Sequence, residues 1–180
     1  MYARPGKPEL QPSDIQPIVR SVVQLPEPEA NRRRLVIKER YSKNAPPVQA
    51  NPLQLQQVFL NLLLNAFDAM PEGGEVSISA DEAISGTLVV SIADTGVGIP
   101  PEKTARIFEP FFTTKPSGTG LGLAIVQQIV KAHEAELGVA ARLPGRRLRF
   151  VSPPQRRRQP HSRYCNESND TTGLRRQLCS

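Results

Sequence analysis

The chain has 180 residues, is 38% hydrophobic and only 5% aromatic, and carries a formal net charge of +6. This length allows one ordinary domain with a tail, and the sequence contains no apolar run of the roughly 18 residues that a membrane-spanning helix needs. Its first residues are polar and Pro-rich, without the apolar stretch of a signal peptide. The cysteines, Cys165 and Cys179, lack the spacing of a metal site or a disulfide framework. We therefore expect a cytoplasmic protein in a reducing compartment.

The positive charge is concentrated at the C-terminal end. Residues 1–141 hold 13 Lys/Arg and 15 Asp/Glu, whereas residues 142–180 hold ten Arg and two acidic residues. Such a run can mark a nucleic-acid contact or a solvated, disordered end. The tail has no aromatic interleaving beyond Tyr164, which favours disorder and no specific nucleic-acid partner. We expect a linker remnant over residues 1–12, a folded domain over 13–152 and an Arg/Pro-rich disordered tail over 153–180.

The first half of the chain is dominated by one long helix. In chain order, the patterns predict a short helix from Ser13 or Asp14 to Val23, a strand over Leu35–Tyr41, a short extended segment around Val48 and the long helix over Pro52–Met70. Pro26 and Pro28 should end or kink the first helix, because proline lacks the amide proton and clashes with the preceding turn. The long helix has an apolar face made of Leu55, Val58, Phe59, Leu62, Ala66 and Ala69.

The second half alternates between strands and one further helix. The patterns predict strands over Glu75–Ala80 and Thr87–Ala93, a loop over Pro100–Ser117 with a helical turn near Glu102–Ile107, a helix over Leu121–Ala135, and weaker strands over Glu136–Ala141 and Leu148–Val151. A short turn joins the first two of these strands, which favours antiparallel pairing. The predicted fold is α+β, a two-layer α/β sandwich with helices on one face of a mostly antiparallel sheet.

A row of polar side chains follows one stripe of the long helix. Its members recur at helical spacing, at Gln57, Asn61, Asn65 and Asp68. Asparagine is a poor residue inside a helix, because its amide competes for backbone groups. An amide oxygen is a hard ligand that suits Mg²⁺ held between protein and phosphates. The alternative is a stripe that simply faces solvent.

A first glycine loop follows a strand end at Asp94, in the segment DTGVGIP. A carboxylate at this point can accept a hydrogen bond from the exocyclic amine of adenine, and Gly96 and Gly98 let the backbone approach a base and sugar closely. An ordinary turn between a strand and a loop fits the same residues.

A second glycine loop, GTGLGL, opens the next helix with Gly118, Gly120 and Gly122. Exposed amides at a helix N-terminus, together with the helix dipole, favour anionic phosphates. The loop is not the nucleotide-kinase P-loop, because no Gly-Lys-Ser/Thr follows it. A Rossmann arrangement does not fit either, because the loops follow the wrong elements.

The segment between the two glycine loops holds Phe108, Phe111 and Phe112. They could belong to the core, but we interpret them as the hydrophobic anchor of a mobile lid. Lys115 follows them closely and could reach a terminal phosphate.

Taken in order, NLLLNAFDAM, DTGVGIP, FEPFF and GTGLGLAIV resemble the four sequence boxes of the ATP-binding domain of sensor histidine kinases. That domain belongs to a superfamily shared with DNA gyrase, Hsp90 and the mismatch-repair protein MutL. The resemblance covers roughly residues 10–142, and FFTTK followed by GTGLGLAIV is similar to the nitrogen-regulator type of kinase.

The resemblance implies ATP and Mg²⁺ as cofactors. By it, Asn65 would hold Mg²⁺, Asn61 would face the phosphates, and Asp94 would select adenine. Lys115 would meet the phosphate chain, so that Asn61, Asn65 and Lys115 would be the catalytic residues. The implied nucleotide-binding positions are Asn61, Asn65, Asp68, Asp94, Gly96, Gly98, Ile99, Phe108, Lys115, Gly118, Thr119, Gly120, Leu121 and Gly122.

One position separates kinases from ATPases within the superfamily. The ATP-hydrolysing members carry a water-activating glutamate one helical turn before the metal-binding asparagine, where this chain has Asn61. Without a general base there, we expect phosphoryl transfer to a histidine on a dimerisation domain that is absent from this sequence, followed by a response regulator. Neither His133 nor His161 lies in a sequence that resembles the phosphoacceptor site of these kinases. The alternatives are an anti-sigma-type serine kinase and a non-catalytic or degenerate ATP-binding fragment.

Overall fold

The computed structural model describes residues 9–24, 26–43, 45–83, 87–115, 118–141 and 146–151. In chain order its elements are β1 (Gln11–Ser13), α1 (Ile15–Gln24), α2 (Glu27–Arg32), β2 (Leu35–Tyr41), β3 (Val48–Ala50), α3 (Pro52–Asp68), β4 (Gly74–Glu82), β5 (Leu88–Asp94), α4 (Pro101–Thr104), α5 (Gly122–Ala132), β6 (Glu136–Ala141) and β7 (Arg146–Val151). The predicted tail over residues 153–180 lies outside the described residues.

The main sheet has five strands in the order β2-β4-β5-β7-β6. Among the described strands of this sheet, β2 and β4 pair in parallel, with Leu35 opposite Gly74, and the other neighbours are antiparallel. β1 and β3 form a separate antiparallel pair. The predicted fold class, a two-layer sandwich with a mostly antiparallel sheet, is confirmed, and so is the antiparallel pairing of β4 with β5.

The core lies between the sheet and the helices α1, α3 and α5. Alternate residues of β4 and β5 are buried, as expected for strands with one covered face. The predicted apolar face of α3 is also buried, and it includes Phe59, which has no exposed surface. The buried residues of α3 are Leu55, Val58, Phe59, Leu62, Leu63, Ala66 and Phe67. Burial of this face fixes which side of α3 remains free for polar residues.

Two short elements were missed by the sequence-based prediction. β1 begins at Gln11, inside the segment predicted as a linker, because it pairs with a partner strand more than 30 residues away, between Gln11 and Ala50. α2 begins directly after Pro26 and carries Pro28 in its first turn. Proline is tolerated there because the first amides of a helix have no intrahelical acceptor. The two prolines therefore separate two helices instead of only ending one.

His133 links the end of α5 to the start of α3 through hydrogen bonds. Its Nε2 accepts a hydrogen bond from the Asn51 amide at 3.0 Å, and its Nδ1 lies 2.8 Å from the Ile129 carbonyl oxygen. A neutral imidazole has one donor and one acceptor, so Nδ1 carries the proton. The Asn51 side chain in turn caps α3 by accepting from the Gln54 amide at 3.1 Å. The buried ring of His133 thus sets the relative position of the two helices.

Among the described residues, none of the helices combines the length and the apolar character that crossing a membrane requires.

Candidate functional site

A cavity of about 240 Å³ opens between α3, the start of α5 and the loops around them. We call the described residues 101–115 and 118–121, which lie between the start of α4 and the start of α5, the lid segment. The cavity is lined by Asn61, Leu64, Asn65, Asp68, Gly98, Ile99, Pro100, Lys103, Ile107, Phe112, Thr113, Thr114, Lys115, Gly118, Thr119, Gly120, Gly122 and Leu123. Parts of all four sequence boxes therefore either line this cavity or lie next to it.

The polar row of α3 forms one wall. Asn61, Asn65 and Asp68 all line the cavity, because the opposite side of the helix is buried in the core. Gln57, the first member of the predicted row, is exposed and does not line it. The structure therefore brings three of the four predicted positions together on one wall.

The start of α5 faces this wall. A Cβ placed on Gly122 would lie 3.6 Å from Asn61 Oδ1 and 3.8 Å from Asn65 Nδ2. Leu121, the residue that precedes the helix, gives it no side-chain cap. The first amides of a helix have no intrahelical acceptor and carry the positive end of the dipole. An anion in the cavity would therefore meet backbone donors on one side and asparagine amides on the other.

Lys115 bridges the lid segment to α3. Its Nζ donates to Asn65 Oδ1 at 3.0 Å and to Asp68 Oδ2 at 2.7 Å. The other carboxylate oxygen of Asp68 lies 3.3 Å from Arg33 Nη1. The side chains of Lys115 and Asp68 are 32% and 41% exposed, so solvent screens this network in part. One carboxylate thus joins a cation from the lid segment and a cation from the end of α2.

A backbone contact between Phe111 and Gly120 closes the lid segment on itself. The Phe111 amide donates to the Gly120 carbonyl at 3.0 Å. A Cβ on Gly120 would lie 2.4 Å from the carbonyl carbon of Phe111, and Gly120 has a φ of +68°. Glycine is required here on both grounds, since the backbones touch and the left-handed region disfavours a side chain.

The first glycine loop lies beside the cavity. Asp94 is 8% exposed and its Oδ1 accepts from the Gly96 amide at 2.9 Å, but neither residue lines the cavity. A Cβ on Gly96 would lie 2.6 Å from the Ala69 carbonyl oxygen, and the Val97 amide donates to that same oxygen at 3.2 Å. Close packing against the end of α3 therefore requires glycine at position 96, independently of any ligand.

The three phenylalanines do not act as one anchor. Phe112 lines the cavity, whereas Phe108 and Leu121 line a separate depression together with residues of α5. Phe111 is 75% exposed and has a φ of +67°. The interpretation of a common hydrophobic anchor is therefore wrong for Phe111, whose backbone contact with Gly120 turns its side chain outward.

Several cavity residues were not predicted. Lys103 belongs to α4 and Ile107 follows that helix. Thr113 and Thr114 directly precede Lys115. The Thr113 hydroxyl accepts from the Lys115 amide at 3.0 Å, which closes a small turn under the lysine. The Thr-Thr-Lys sequence beside the predicted lysine was the available signal for this turn.

Residues 50–157 of the chain match the family described as histidine kinase-, DNA gyrase B- and HSP90-like ATPases. The chain belongs to this family, and within it to the ATP-binding catalytic domains of the sensor histidine kinase type.

Individual relatives agree with this assignment. The sensor histidine kinase ZraS of Escherichia coli O157:H7 is 39% identical over 148 residues, which cover 82% of this chain and 32% of that protein. The catalytic domain of histidine kinase ThkA superposes with a TM-score of 0.74 at 30% identity, covering 81% of this chain and 95% of that one. Full-length ShkA in complex with AMPPNP superposes with a TM-score of 0.75 at 36% identity, covering 84% of this chain and 32% of that one.

A second ThkA structure, in complex with the response regulator TrrA, gives a TM-score of 0.70 at 25% identity and covers 81% of this chain and 42% of that one. The chain spans about a third of the length of the ZraS proteins that it matches. The activity of those whole proteins therefore does not carry over to this chain directly.

Proposed function

We propose that this domain binds Mg-ATP in the cavity and donates the γ-phosphoryl group to a histidine on a separate dimerisation domain. The observation that supports this best is the asparagine row of α3, which faces the start of α5 and accepts a hydrogen bond from Lys115 at Asn65. Phosphoryl transfer needs positioning and charge stabilisation more than covalent chemistry from the protein, and this arrangement supplies both.

Within the site, Asn65 holds the metal, Asn61 faces the phosphates, and Lys115 meets the terminal phosphate. Asp94 accepts from the exocyclic amine of adenine. The glycines at the start of α5 cradle the phosphate chain through their amides. The remaining nucleotide contacts come from Asp68, Gly96, Gly98, Ile99, Gly118, Thr119, Gly120 and Gly122. Phe108 and Leu121 line a separate depression and are not part of the proposed site. The AMPPNP in the ShkA complex supports an adenine nucleotide as the ligand.

The donor set fits a hard cation. Asn65 Oδ1 and Asp68 Oδ2 already accept together from the Lys115 ammonium, which stands in for a cation at this point. The described part of the chain has no group of three or more His, Cys, Asp and Glu that could hold a metal alone. The remaining ligands would therefore be phosphate oxygens and waters, as is usual for Mg²⁺. The metal would neutralise charge on the phosphates.

Transfer to water is disfavoured because Asn61, an amide, stands where the ATP-hydrolysing members of the superfamily carry a glutamate. The Asp68 carboxylate is paired with Arg33, and it also pairs with Lys115 in the nucleotide-free structure and would contact the metal once the nucleotide is bound. His133 is not the acceptor, because both of its ring nitrogens are engaged in hydrogen bonds and the ring is buried. We propose that the acceptor histidine comes from another domain, and that a response regulator then takes the phosphoryl group, as the complex of ThkA with TrrA suggests.

The domain is tested with labelled ATP and the purified dimerisation domain of ZraS as acceptor. We expect acid-labile label on the histidine of that domain, a strong dependence on Mg²⁺, and loss of both binding and transfer in Asn65→Ala. Gln57→Ala, an exposed position on the same helix, is the control and should retain both. Acid-stable label on serine would instead indicate a serine kinase.

Binding without transfer would indicate a non-catalytic ATP-binding module. The absence of nucleotide binding would contradict the proposal as a whole. Because the proposed site residues all precede Leu123, we also propose that truncation after Pro154 leaves ATP affinity within a few-fold.

A further inference from the structure

The Lys115 ammonium donates hydrogen bonds to the same two oxygens that a divalent cation would bind in the proposed site. Asn65 Oδ1 and Asp68 Oδ2 accept from its Nζ at 3.0 and 2.7 Å. Lys115 belongs to the lid segment, whereas both acceptors belong to α3. The contact therefore links the lid segment to α3 within the lining of the cavity.

Two neighbouring features show that this contact is specific to Lys115. Lys103 also lines the cavity, yet no ion pair or side-chain hydrogen bond involves its ammonium among the described residues. The Thr113 hydroxyl accepts from the Lys115 amide at 3.0 Å, and the turn that this hydrogen bond closes directs the lysine toward α3. The start of the side chain and its charged end are therefore both fixed.

We propose that Lys115 acts as an internal cation that keeps the lid segment docked on α3 until a metal-bound nucleotide displaces it. This inference rests on the proposed function, because it takes Asn65 as the metal ligand. Two cations cannot share one amide oxygen and one carboxylate oxygen at contact distance without strong repulsion. Binding of the metal and docking of Lys115 are therefore mutually exclusive.

The displaced lysine gains a new partner only when a γ-phosphate is present. With ATP, the ammonium exchanges the oxygens of α3 for the terminal phosphate, so little charge pairing is lost. With ADP, which lacks that phosphate, the cost of displacing Lys115 is not recovered. A docked lysine thus makes the domain favour ATP over ADP in the presence of Mg²⁺, and nucleotide release after transfer is assisted by the return of Lys115 to α3.

The first experiment measures acetylation of individual lysines in the nucleotide-free protein by mass spectrometry. Lys131, exposed at the end of α5, is the reference. We expect Lys115 to react about threefold to fivefold more slowly than Lys103, a protection of the size that a partly exposed ion pair gives. Asp68→Asn should raise the rate at Lys115 and leave that at Lys103 unchanged. Equal rates at the two lysines would overturn the inference.

The second experiment measures nucleotide affinity by calorimetry for the wild type, Lys115→Met and the matched control Lys103→Met. Without the competing ammonium, Lys115→Met should bind ADP in Mg²⁺ about twofold to fivefold more tightly, but ATP in Mg²⁺ more weakly. In EDTA the gain for ADP should disappear. Lys103→Met removes the same charge from the cavity without touching Asn65, so it should not tighten ADP.

If Lys115→Met weakens both nucleotides to the same extent, Lys115 is only a phosphate ligand and the inference is wrong. If the wild type binds no adenine nucleotide at all, the proposed function fails instead. The acetylation rates alone then decide whether Lys115 is docked on α3, with protection supporting the docked state and full reactivity overturning it.

Discussion

Helix α3 and the lid segment line the same cavity, but different forces hold them in place. α3 buries a continuous apolar face, with Leu55, Phe59 and Leu63 fully inaccessible to solvent. Among the described residues of the lid segment, only Ile107 is buried as a hydrophobic side chain. The lid segment is linked to α3 by the Lys115 ion pair instead, and its own shape is set by the Phe111–Gly120 backbone contact inside it. One wall is thus set by the folding of the whole domain, and the other by a few local contacts that a ligand can exchange.

The largest effect should come from removing core volume beneath α3. Phe59→Ala should lower the free energy of unfolding by about 3–5 kcal/mol, because a fully buried aromatic ring is replaced by a cavity. Leu53→Ala, at a position on the same helix that is 74% exposed, should change it by less than about 0.5 kcal/mol. Urea unfolding followed by circular dichroism measures both. Similar costs at the two positions would contradict the burial pattern of α3.

The link between α3 and α5 should give the next largest effect. His133→Ala leaves the Asn51 amide without its acceptor, and an unsatisfied buried donor costs about 1–3 kcal/mol. We expect this loss in urea unfolding, with faster hydrogen exchange at the Asn51 amide than in the wild type. Lys131→Ala, a neighbouring exposed position, is the control. Acid-labile label on His133 after incubation with ATP would show instead that this ring is free to react.

A change in the lid segment should affect binding more than folding. Gly120→Ala puts a side chain at a φ of +68° and within 2.4 Å of the Phe111 backbone. A left-handed conformation costs about 1–2 kcal/mol for a non-glycine residue. If the lid segment rearranges internally to relieve this strain, nucleotide affinity should fall about fivefold to thirtyfold, while the urea midpoint changes little.

Gly138→Ala provides a matched control, because a Cβ on this exposed strand residue meets no described atom within 4 Å. It should leave nucleotide affinity unchanged in the same calorimetric titration. A loss of folding stability in Gly120→Ala as large as that in Phe59→Ala would mean that the lid segment belongs to the cooperative core, which would remove the contrast with α3.

The same contrast explains what the sequence could predict. The period of apolar residues in α3, and the alternation in β4 and β5, specify elements whose side chains are buried on one side, and these were predicted nearly to the residue. The asparagine row could be predicted too, because the face opposite a buried face must be the accessible one. The strands β6 and β7 were found as weaker patterns, and the structure pairs them along the edge of the sheet.

The remaining features depend on contacts between distant parts of the chain. β1 exists because Gln11 pairs with Ala50, and His133 is buried because it meets Asn51. The exposure of Phe111 follows from its contact with Gly120, which no local pattern encodes. The ion pairs of Asp68 with Arg33 and Lys115 likewise join residues that are far apart in sequence. Sequence patterns indicate burial well, but they do not indicate which polar partners meet.

The smallest effect concerns the ion pairs at the end of α2, on the side of Asp68 that faces away from the lid segment. Hydrogen bonds from Arg32 and then Arg33 lower the pKa of Glu29 below its usual value, and Arg33 also reaches Asp68. Because the folded-state pKa is lowered, Glu29 contributes stability above its unfolded pKa of roughly 4.3 and loses that contribution as the pH falls through the folded value. The difference in urea midpoint between the wild type and Glu29→Gln should therefore be present at pH 7, disappear at acidic pH and shrink in 1 M salt. A difference that persists in acid would mean that Glu29 acts through packing and not through its charge.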